Sequence, residues 1–207
     1  MGTMINRRRV CGGKSLPYDY EVEYLEATGP QWIDTGFKAT GGCIFDFEAM
    51  WTTYGEAIVG SHNPSSNFSN GFNRNQAYIY AQNKVQFNKC NNFEGISYPC
   101  SVGIKYHVYY NSIGSNRIGS IDGNVIVNQT NTGTLNPVNN VVFFLVQYNL
   151  TYQKGRIYNC KLYDSTSTLV RDFIPVRVGQ VGYLYDKVSG ELFGNNGTGE
   201  FILGPDV

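Results

Sequence analysis

Apolar and polar residues alternate with a period of two along most of this chain, in short runs separated by turns rich in Gly and Asn. This pattern predicts strands over residues 43–51, 105–110, 156–163, 169–178, 181–185 and 191–193. Two hairpins are predicted, one turning at Gln82-Asn83 and one at Asp122-Gly123, because Asn, Asp and Gly accept the backbone angles of tight turns. The most hydrophobic run, VVFFLV at 141–146, is predicted to be a central strand.

About a dozen short strands at close spacing favour a sandwich of two sheets or a jelly roll. No window has the period and capping residues of an amphipathic helix, so the predicted fold class is all-β. With 207 residues, of which 42% are hydrophobic, the chain is long enough for one such sandwich. Aromatic residues at 14% and charged residues at only 15% also suit strands better than helices.

Charge divides the chain into a basic N-terminal arm at 1–15 and a mildly acidic domain at 16–207. The arm has no acidic residue, whereas the whole chain has 16 basic and 16 acidic side chains. Zero net charge gives no reason to expect nucleic-acid or anionic-membrane binding. No apolar stretch resembles a signal peptide or a membrane span, so neither is expected. The arm is predicted to anchor the domain to an acidic surface of a partner protein through Arg7, Arg8, Arg9 and Lys14.

Cysteine usage gives no sign of a metal site. The five Cys are scattered with no C-x-x-C pair, and only two His are present. The sequence permits a disulfide bond between Cys90 and Cys100, but we mainly expect reduced thiols, some of them in the core. No metal and no cofactor is predicted.

Both ends of the chain resemble a known family of domains. Residues 23–36, EYLEATGPQWIDTG, are similar to the opening motif of concanavalin A-like, laminin-G-like jelly rolls, and residues 169–177 and 182–201 are similar to the ending of that family. Residues 154–164, KGRIYNCKLYD, resemble one of its internal strands, so the likeness spans 16–207. The resemblance implies a jelly-roll sandwich of two antiparallel sheets that serves in binding or in structure. Such domains occur in gut Bacteroidetes and Firmicutes and in their phages.

Two functions are compatible with that resemblance. The first is a non-enzymatic phage virion protein, such as a capsid decoration, head-fibre or tail-associated domain, that is held in a multi-subunit assembly by its basic arm and that contacts other virion proteins and host glycans. Its location would then be the virion. The alternative is a carbohydrate-binding lectin module of a gut bacterium. For a glycan site, the polar loop and the strand after it offer aromatic rings beside amide and guanidinium groups: Phe68, Phe72, Arg74, Asn75 and Tyr78.

Catalysis is not expected. Glycosidases of this fold class need two carboxyl groups at a fixed separation. Asp46 and Glu48 share one strand face by alternation, but the Glu-x-Asp-x-x-Glu pattern is not completed, because Ile44 stands two residues before Asp46 and Trp51 three residues after Glu48. We therefore expect the pair to lie on a solvated sheet face.

Overall fold

The computed structural model describes residues 10–11, 14–55, 57–61, 75–90, 95–135, 137–146 and 151–207, and within these ranges it contains strands and turns but no helix. No helix in this part of the chain could therefore cross a membrane. The strands are β1 (Val10–Cys11), β2 (Lys14–Ser15), β3 (Tyr20–Glu21), β4 (Leu25–Ala27), β5 (Ile33–Asp34), β6 (Ile44–Trp51), β7 (Val59–Ser61), β8 (Asn75–Ala81), β9 (Lys84–Lys89), β10 (Ile96–Ser97), β11 (Lys105–Asn111), β12 (Asn116–Ile121), β13 (Asn124–Thr130), β14 (Val142–Phe143), β15 (Leu145–Val146), β16 (Thr151–Tyr152), β17 (Gly155–Tyr163), β18 (Leu169–Val178), β19 (Val181–Asp186), β20 (Glu191–Phe193) and β21 (Ile202–Leu203).

Two antiparallel sheets contain most of these strands. The large sheet has 11 strands in the order β13-β12-β11-β6-β17-β18-β19-β20, with β4 beside β17, β21 beside β4, and β3 beside β18. The small sheet has 6 strands in the order β10-β9-β8-β7-β14-β5. Among the described residues, β1 with β2 and β15 with β16 form separate two-stranded ribbons. This arrangement confirms the predicted all-β class and the jelly-roll sandwich of two antiparallel sheets.

The core fills the space between the two sheets with aromatic and β-branched side chains. On β6, Phe45, Phe47 and Trp51 are fully buried, whereas Asp46 and Glu48 between them are only partly buried. Such alternation is what a strand with one face on the core produces. Aromatic rings from the two sheets meet in this layer, as in the pairs Phe143–Phe173 at 5.6 Å and Phe87–Tyr110 at 5.5 Å between centroids.

Several predicted elements are confirmed. The run at 169–178 is β18, with the predicted bounds, and β6, β11, β17, β19 and β20 lie within about a residue of their predicted ranges. Asp122 and Gly123 have φ angles of 49° and 78°, so both central residues of the β12–β13 turn are left-handed. A two-residue hairpin turn of type I′ requires this geometry. Asn83, at the β8–β9 turn, also has a positive φ of 57°.

One strand prediction was wrong. The VVFFLV run does not form a single central strand, because Phe144 has a φ of 60° and interrupts it. The run becomes β14, between β7 and β5 in the small sheet, and β15, which pairs with β16 instead. Hydrophobicity correctly predicted burial here, but it gave no signal for a bulky residue in the left-handed region. Within the arm, β1 and β2 pair with each other.

The cysteines described with their side chains, Cys43, Cys90, Cys100 and Cys160, are buried and form no disulfide bond among themselves, which confirms the expectation of reduced thiols. Burial raises the pKa of the Cys160 thiol well above its usual value.

Two buried cations connect the sheets. The Lys89 ammonium, on β9, donates to the carbonyl oxygens of Gly114, Asn116 at 3.1 Å and Asn131 at 3.2 Å. Burial lowers the pKa of this ammonium. Arg117, on β12, donates from Nε to the carbonyl oxygen of Phe87 at 2.9 Å. These bonds fix β9 against the β12–β13 edge of the large sheet.

The two ends of the chain meet in the folded domain, as their paired motifs predicted. Strand β21 pairs with β4, and β3 pairs with β18. The loop after β20 reaches further, to β5 at the edge of the small sheet, where the backbone N–H of Asn196 donates to the carbonyl oxygen of Trp32 at 2.8 Å. The opening and closing motifs therefore build one local structure.

Candidate functional site

A polar groove lies beside β5, at the edge of the small sheet. It has a volume of about 460 Å³ and is lined by Trp32, Asp34, Lys38, Asn139 and Asn140, together with the apolar Val138 and Leu145. We call it the Trp32 groove. It combines one half-buried indole ring with a carboxylate, an ammonium group and two amides, which are the groups that bind a hydroxyl-rich ligand.

The loop after β20 holds the Trp32 side of this groove in place. The Asn195 Oδ1 atom accepts the backbone N–H groups of Trp32 at 3.1 Å and of Gly197 at 2.8 Å. Residue 197 must be glycine, because a Cβ atom there would lie 1.7 Å from the Pro30 carbonyl oxygen and 2.9 Å from Trp32 Cδ1. The closing motif thus sets the position of the indole ring.

Asp34 is fixed by the turn that follows β5. Its Oδ1 atom accepts the Gly36 N–H at 2.8 Å and the Asn140 side-chain amide at 2.9 Å. Its backbone N–H donates to Asn196 Oδ1 at 2.9 Å. Gly36 has a φ of 66°, which a glycine adopts without strain. The carboxylate is therefore held rigidly at the groove wall by its backbone and by one oxygen.

A second, smaller groove of about 260 Å³ lies on the outer face of the large sheet, the face turned away from the core. It is lined by Glu21, Glu23, Glu48, Lys105 and Tyr158 over apolar residues that include Ile174 and Pro175. We call it the Tyr158 groove.

The ring, the lysine and one carboxylate of the Tyr158 groove contact one another or a neighbouring side chain. Lys105 Nζ lies 4.9 Å from the centroid of the Tyr158 ring, and Tyr24 packs edge-on against that ring at 5.6 Å. Glu48 Oε2 accepts from Asn159 Nδ2 at 2.8 Å and from Lys105 at 3.4 Å. The Tyr158 ring and the Glu48 carboxylate are therefore already occupied by neighbouring side chains.

Asp46 and Glu48 do share the outer face of the large sheet, as alternation predicted. Asp46 Oδ1 lies 2.6 Å from His107 Nε2, and both side chains are partly exposed. Each carboxylate thus has a cross-strand partner on β11, which is how polar side chains of a solvated sheet face are arranged. Among the described residues, no group of three or more His, Cys, Asp and Glu side chains could hold a metal ion.

Most residues predicted for the glycan site and the anchor lie outside the described part of the chain. These are Phe68, Phe72 and Arg74 of the loop and Arg7, Arg8 and Arg9 of the arm. Asn75 and Tyr78 belong to β8, where the Tyr78 hydroxyl donates to Gln86 Oε1, and Tyr78 lines neither of the two grooves. Lys14 lies in β2, paired with Cys11. The two sets stay predictions.

The Trp32 groove was not predicted from the sequence. A signal was present, because Trp32 and Asp34 stand two residues apart in the opening motif, a spacing that places both side chains on one face of an extended segment. The partners were not predictable, since Asn139 and Asn140 lie more than a hundred residues along the chain, in a loop without a motif.

Comparison with solved structures places the chain among jelly-roll domains. No family model matches it, and no curated protein matches it. A Bacteroides ovatus protein, provisionally named as a carbohydrate binding protein, aligns with a TM-score of 0.62 at 7% identity, over 90% of this chain and 62% of that one. This chain therefore spans less than two thirds of the length of that protein.

Two further structures have the same fold. The CBM40 module of a Ruminococcus gnavus IT-sialidase, solved with α2,3-sialyllactose bound, has a TM-score of 0.53 at 14% identity, over 68% of this chain and 89% of the module. The heptameric SAP-like pentraxin of Limulus polyphemus has a TM-score of 0.57 at 13% identity, over 89% of this chain and 95% of the pentraxin. At these identities the likeness shows the fold, a jelly-roll β-sandwich shared by carbohydrate-binding modules and a pentraxin.

Proposed function

We propose that this protein is a carbohydrate-binding module and that the Trp32 groove is its glycan site. The observation that carries the proposal is the half-buried indole of Trp32 beside the fixed carboxylate of Asp34 and the exposed Lys38 in one groove. An aromatic ring can stack on the C–H face of a sugar while polar side chains bond its hydroxyls. The carbohydrate-binding names of two structural neighbours, one of them provisional, support this reading.

The proposed role is binding without catalysis. The structural neighbours with carbohydrate-related names are a binding protein and a binding module, not catalytic domains. On the outer sheet face, Asp46 and Glu48 are engaged by His107, Lys105 and Asn159. A place in a phage virion, with Arg7, Arg8, Arg9 and Lys14 as the anchor to other virion proteins, stays a prediction from the sequence.

The test is glycan binding by the intact chain and by matched aromatic variants. Trp32→Ala removes the proposed stacking surface, so affinity should fall by about 30-fold or more, the size of loss that a Trp hot spot gives. Tyr158→Ala removes the aromatic ring of the other groove and should leave the affinity unchanged. Trp32→Phe, which keeps a smaller ring against Gly197, should bind with intermediate affinity.

Glycan-array screening followed by calorimetry on the best ligand measures these affinities, and thermal unfolding confirms that each variant is folded. A folded Trp32→Ala protein that binds as tightly as the wild type would exclude the Trp32 groove as the site. A wild-type protein that binds no glycan on a broad array would overturn the proposed function itself.

A further inference from the structure

The two oxygens of the Asp34 carboxylate are used differently. Oδ1 is engaged inside the fold by the Gly36 N–H and the Asn140 amide. No donor among the described residues reaches Oδ2, and within this part of the chain the Asp34 carboxylate has no bond besides those two. Since Asp34 lines the Trp32 groove, Oδ2 is an acceptor available to a ligand. A carboxylate oxygen accepts up to two hydrogen bonds.

Lys38 supplies the complementary group. Its side chain is exposed and lines the same groove. Within the described part of the chain, Lys38 pairs neither with Asp34 nor with another carboxylate. Its ammonium group has three donors and no acceptor capacity. The groove thus contains one free anionic acceptor and one free cationic donor.

From this pairing we infer that the Trp32 groove selects uncharged sugars with two adjacent hydroxyl groups over sugars that carry a carboxylate. This inference rests on the proposed glycan-binding function. A hydroxyl both donates and accepts, so one hydroxyl of a neighbouring pair can donate to Asp34 Oδ2 while the other accepts from Lys38. The indole ring of Trp32 then stacks on the C–H face of the same sugar ring.

An acidic sugar is disfavoured by the rigidity of Asp34. The carboxylate of such a sugar would form an ion pair with Lys38 but would also come close to the Asp34 carboxylate. Asp34 cannot turn away while Gly36 and Asn140 hold its Oδ1 atom. The formal charges of Asp34 and Lys38 cancel, so the groove has no net attraction for an anion. Like charges brought together in a partly desolvated site oppose binding.

The decisive variant is Asp34→Asn. Asparagine has the same shape and keeps an oxygen for Gly36 and Asn140, so the turn is preserved. The atom that faces the groove changes from a charged acceptor to an amide donor. We expect affinity for a neutral glycan to fall about tenfold, as for loss of a hydrogen bond to a charged group. Lys38→Gln, which keeps a donor but removes the charge, should have a smaller effect.

The probes are lactose and α2,3-sialyllactose, which differ by one acidic residue, followed by other neutral and carboxylated pairs on an array. Wild-type protein should prefer the neutral member of each pair that it binds, with little dependence on salt, since no ion pair forms. Thermal unfolding of both variants checks that they fold as the wild type does.

The opposite pattern overturns the inference and leaves the proposed function standing. It consists of binding to carboxylated glycans that is lost in Lys38→Gln, weakened by salt and strengthened in Asp34→Asn. Unchanged affinity in both variants, with Trp32→Ala still defective, would also overturn it. If no glycan binds the wild type, the proposed function fails and this inference fails with it.

Discussion

The Trp32 groove and the Tyr158 groove contain the same kinds of residue, namely one aromatic ring, at least one carboxylate and one lysine. In the Tyr158 groove these groups contact one another: Lys105 lies over the ring, and Glu48 bonds Lys105 and Asn159. In the Trp32 groove, Lys38 and the second oxygen of Asp34 have no partner among the described residues. The ring, the lysine and Glu48 of the Tyr158 groove are therefore less available to a ligand than Trp32, Lys38 and Asp34.

The difference comes from the position of each strand in its sheet. On the outer face of the large sheet, β6 lies between β11 and β17, so each side chain has two cross-strand neighbours. Among the described strands, β5 is at the edge of the small sheet and pairs with β14 alone. Side chains at a sheet edge beside a loop have fewer neighbours. A carboxylate there that is held through one oxygen keeps its other oxygen for a ligand.

Gly197→Ala should damage the Trp32 groove most. The added Cβ would lie 1.7 Å from the Pro30 carbonyl oxygen, so the backbone before Trp32 must move. We expect the free energy of unfolding to fall by about 3 kcal/mol, the upper end for overpacking, together with loss of glycan binding. Urea unfolding measures the first and calorimetry the second.

Gly29→Ala is the matched control for that variant. Residue 29 lies in the opening motif beside Pro30, which the Cβ at position 197 would strike, but a Cβ at position 29 would meet Gln31 Oε1 at 4.0 Å. This variant should stay close to wild type in stability and in binding. If the two alanine variants behave alike, the close packing of the closing loop on Trp32 does not determine the groove.

Asn195→Ala should have an intermediate effect. It removes the acceptor that holds the N–H groups of Trp32 and Gly197, and the donor to the Gly199 carbonyl oxygen at 2.7 Å. We expect a loss of about 1–2 kcal/mol of stability and weaker glycan binding. Asn128→Ala, an exposed position on β13, should change neither. Wild-type affinity in a folded Asn195→Ala protein would mean that the indole keeps its place without this loop.

How much of this contrast the sequence predicted depends on the range of the interactions. Alternation placed Asp46 and Glu48 on one exposed face, and turn chemistry placed the hairpin at Asp122-Gly123, because both depend on neighbouring residues alone. The paired end motifs predicted that residues 23–36 and the closing segment lie together, which β4 with β21 confirms.

The candidate site was not predicted, since it depends on contacts between distant segments. Asp34 meets Asn140, and Trp32 meets Asn195, across more than a hundred residues in each case. The same limit applies to Phe144, whose left-handed backbone is hydrogen-bonded to residues outside its own run. Its N–H donates to the carbonyl oxygen of Ile58 at 2.8 Å, and its carbonyl oxygen accepts the backbone N–H of Gln153 at 2.8 Å. No local pattern encodes such partners.

The smallest effect is expected from the double variant Asp46→Asn/Glu48→Gln on the outer face of the large sheet. It weakens the contacts with His107 and Lys105, whose side chains are 45% and 48% exposed. Because pairs this exposed contribute little, the free energy of unfolding should change by less than about 1 kcal/mol, and glycan affinity should not change. If this variant abolished binding while Trp32→Ala did not, the outer face of the large sheet, and not the Trp32 groove, would be the glycan site. The ligand would then have to displace the side chains that now contact Asp46 and Glu48.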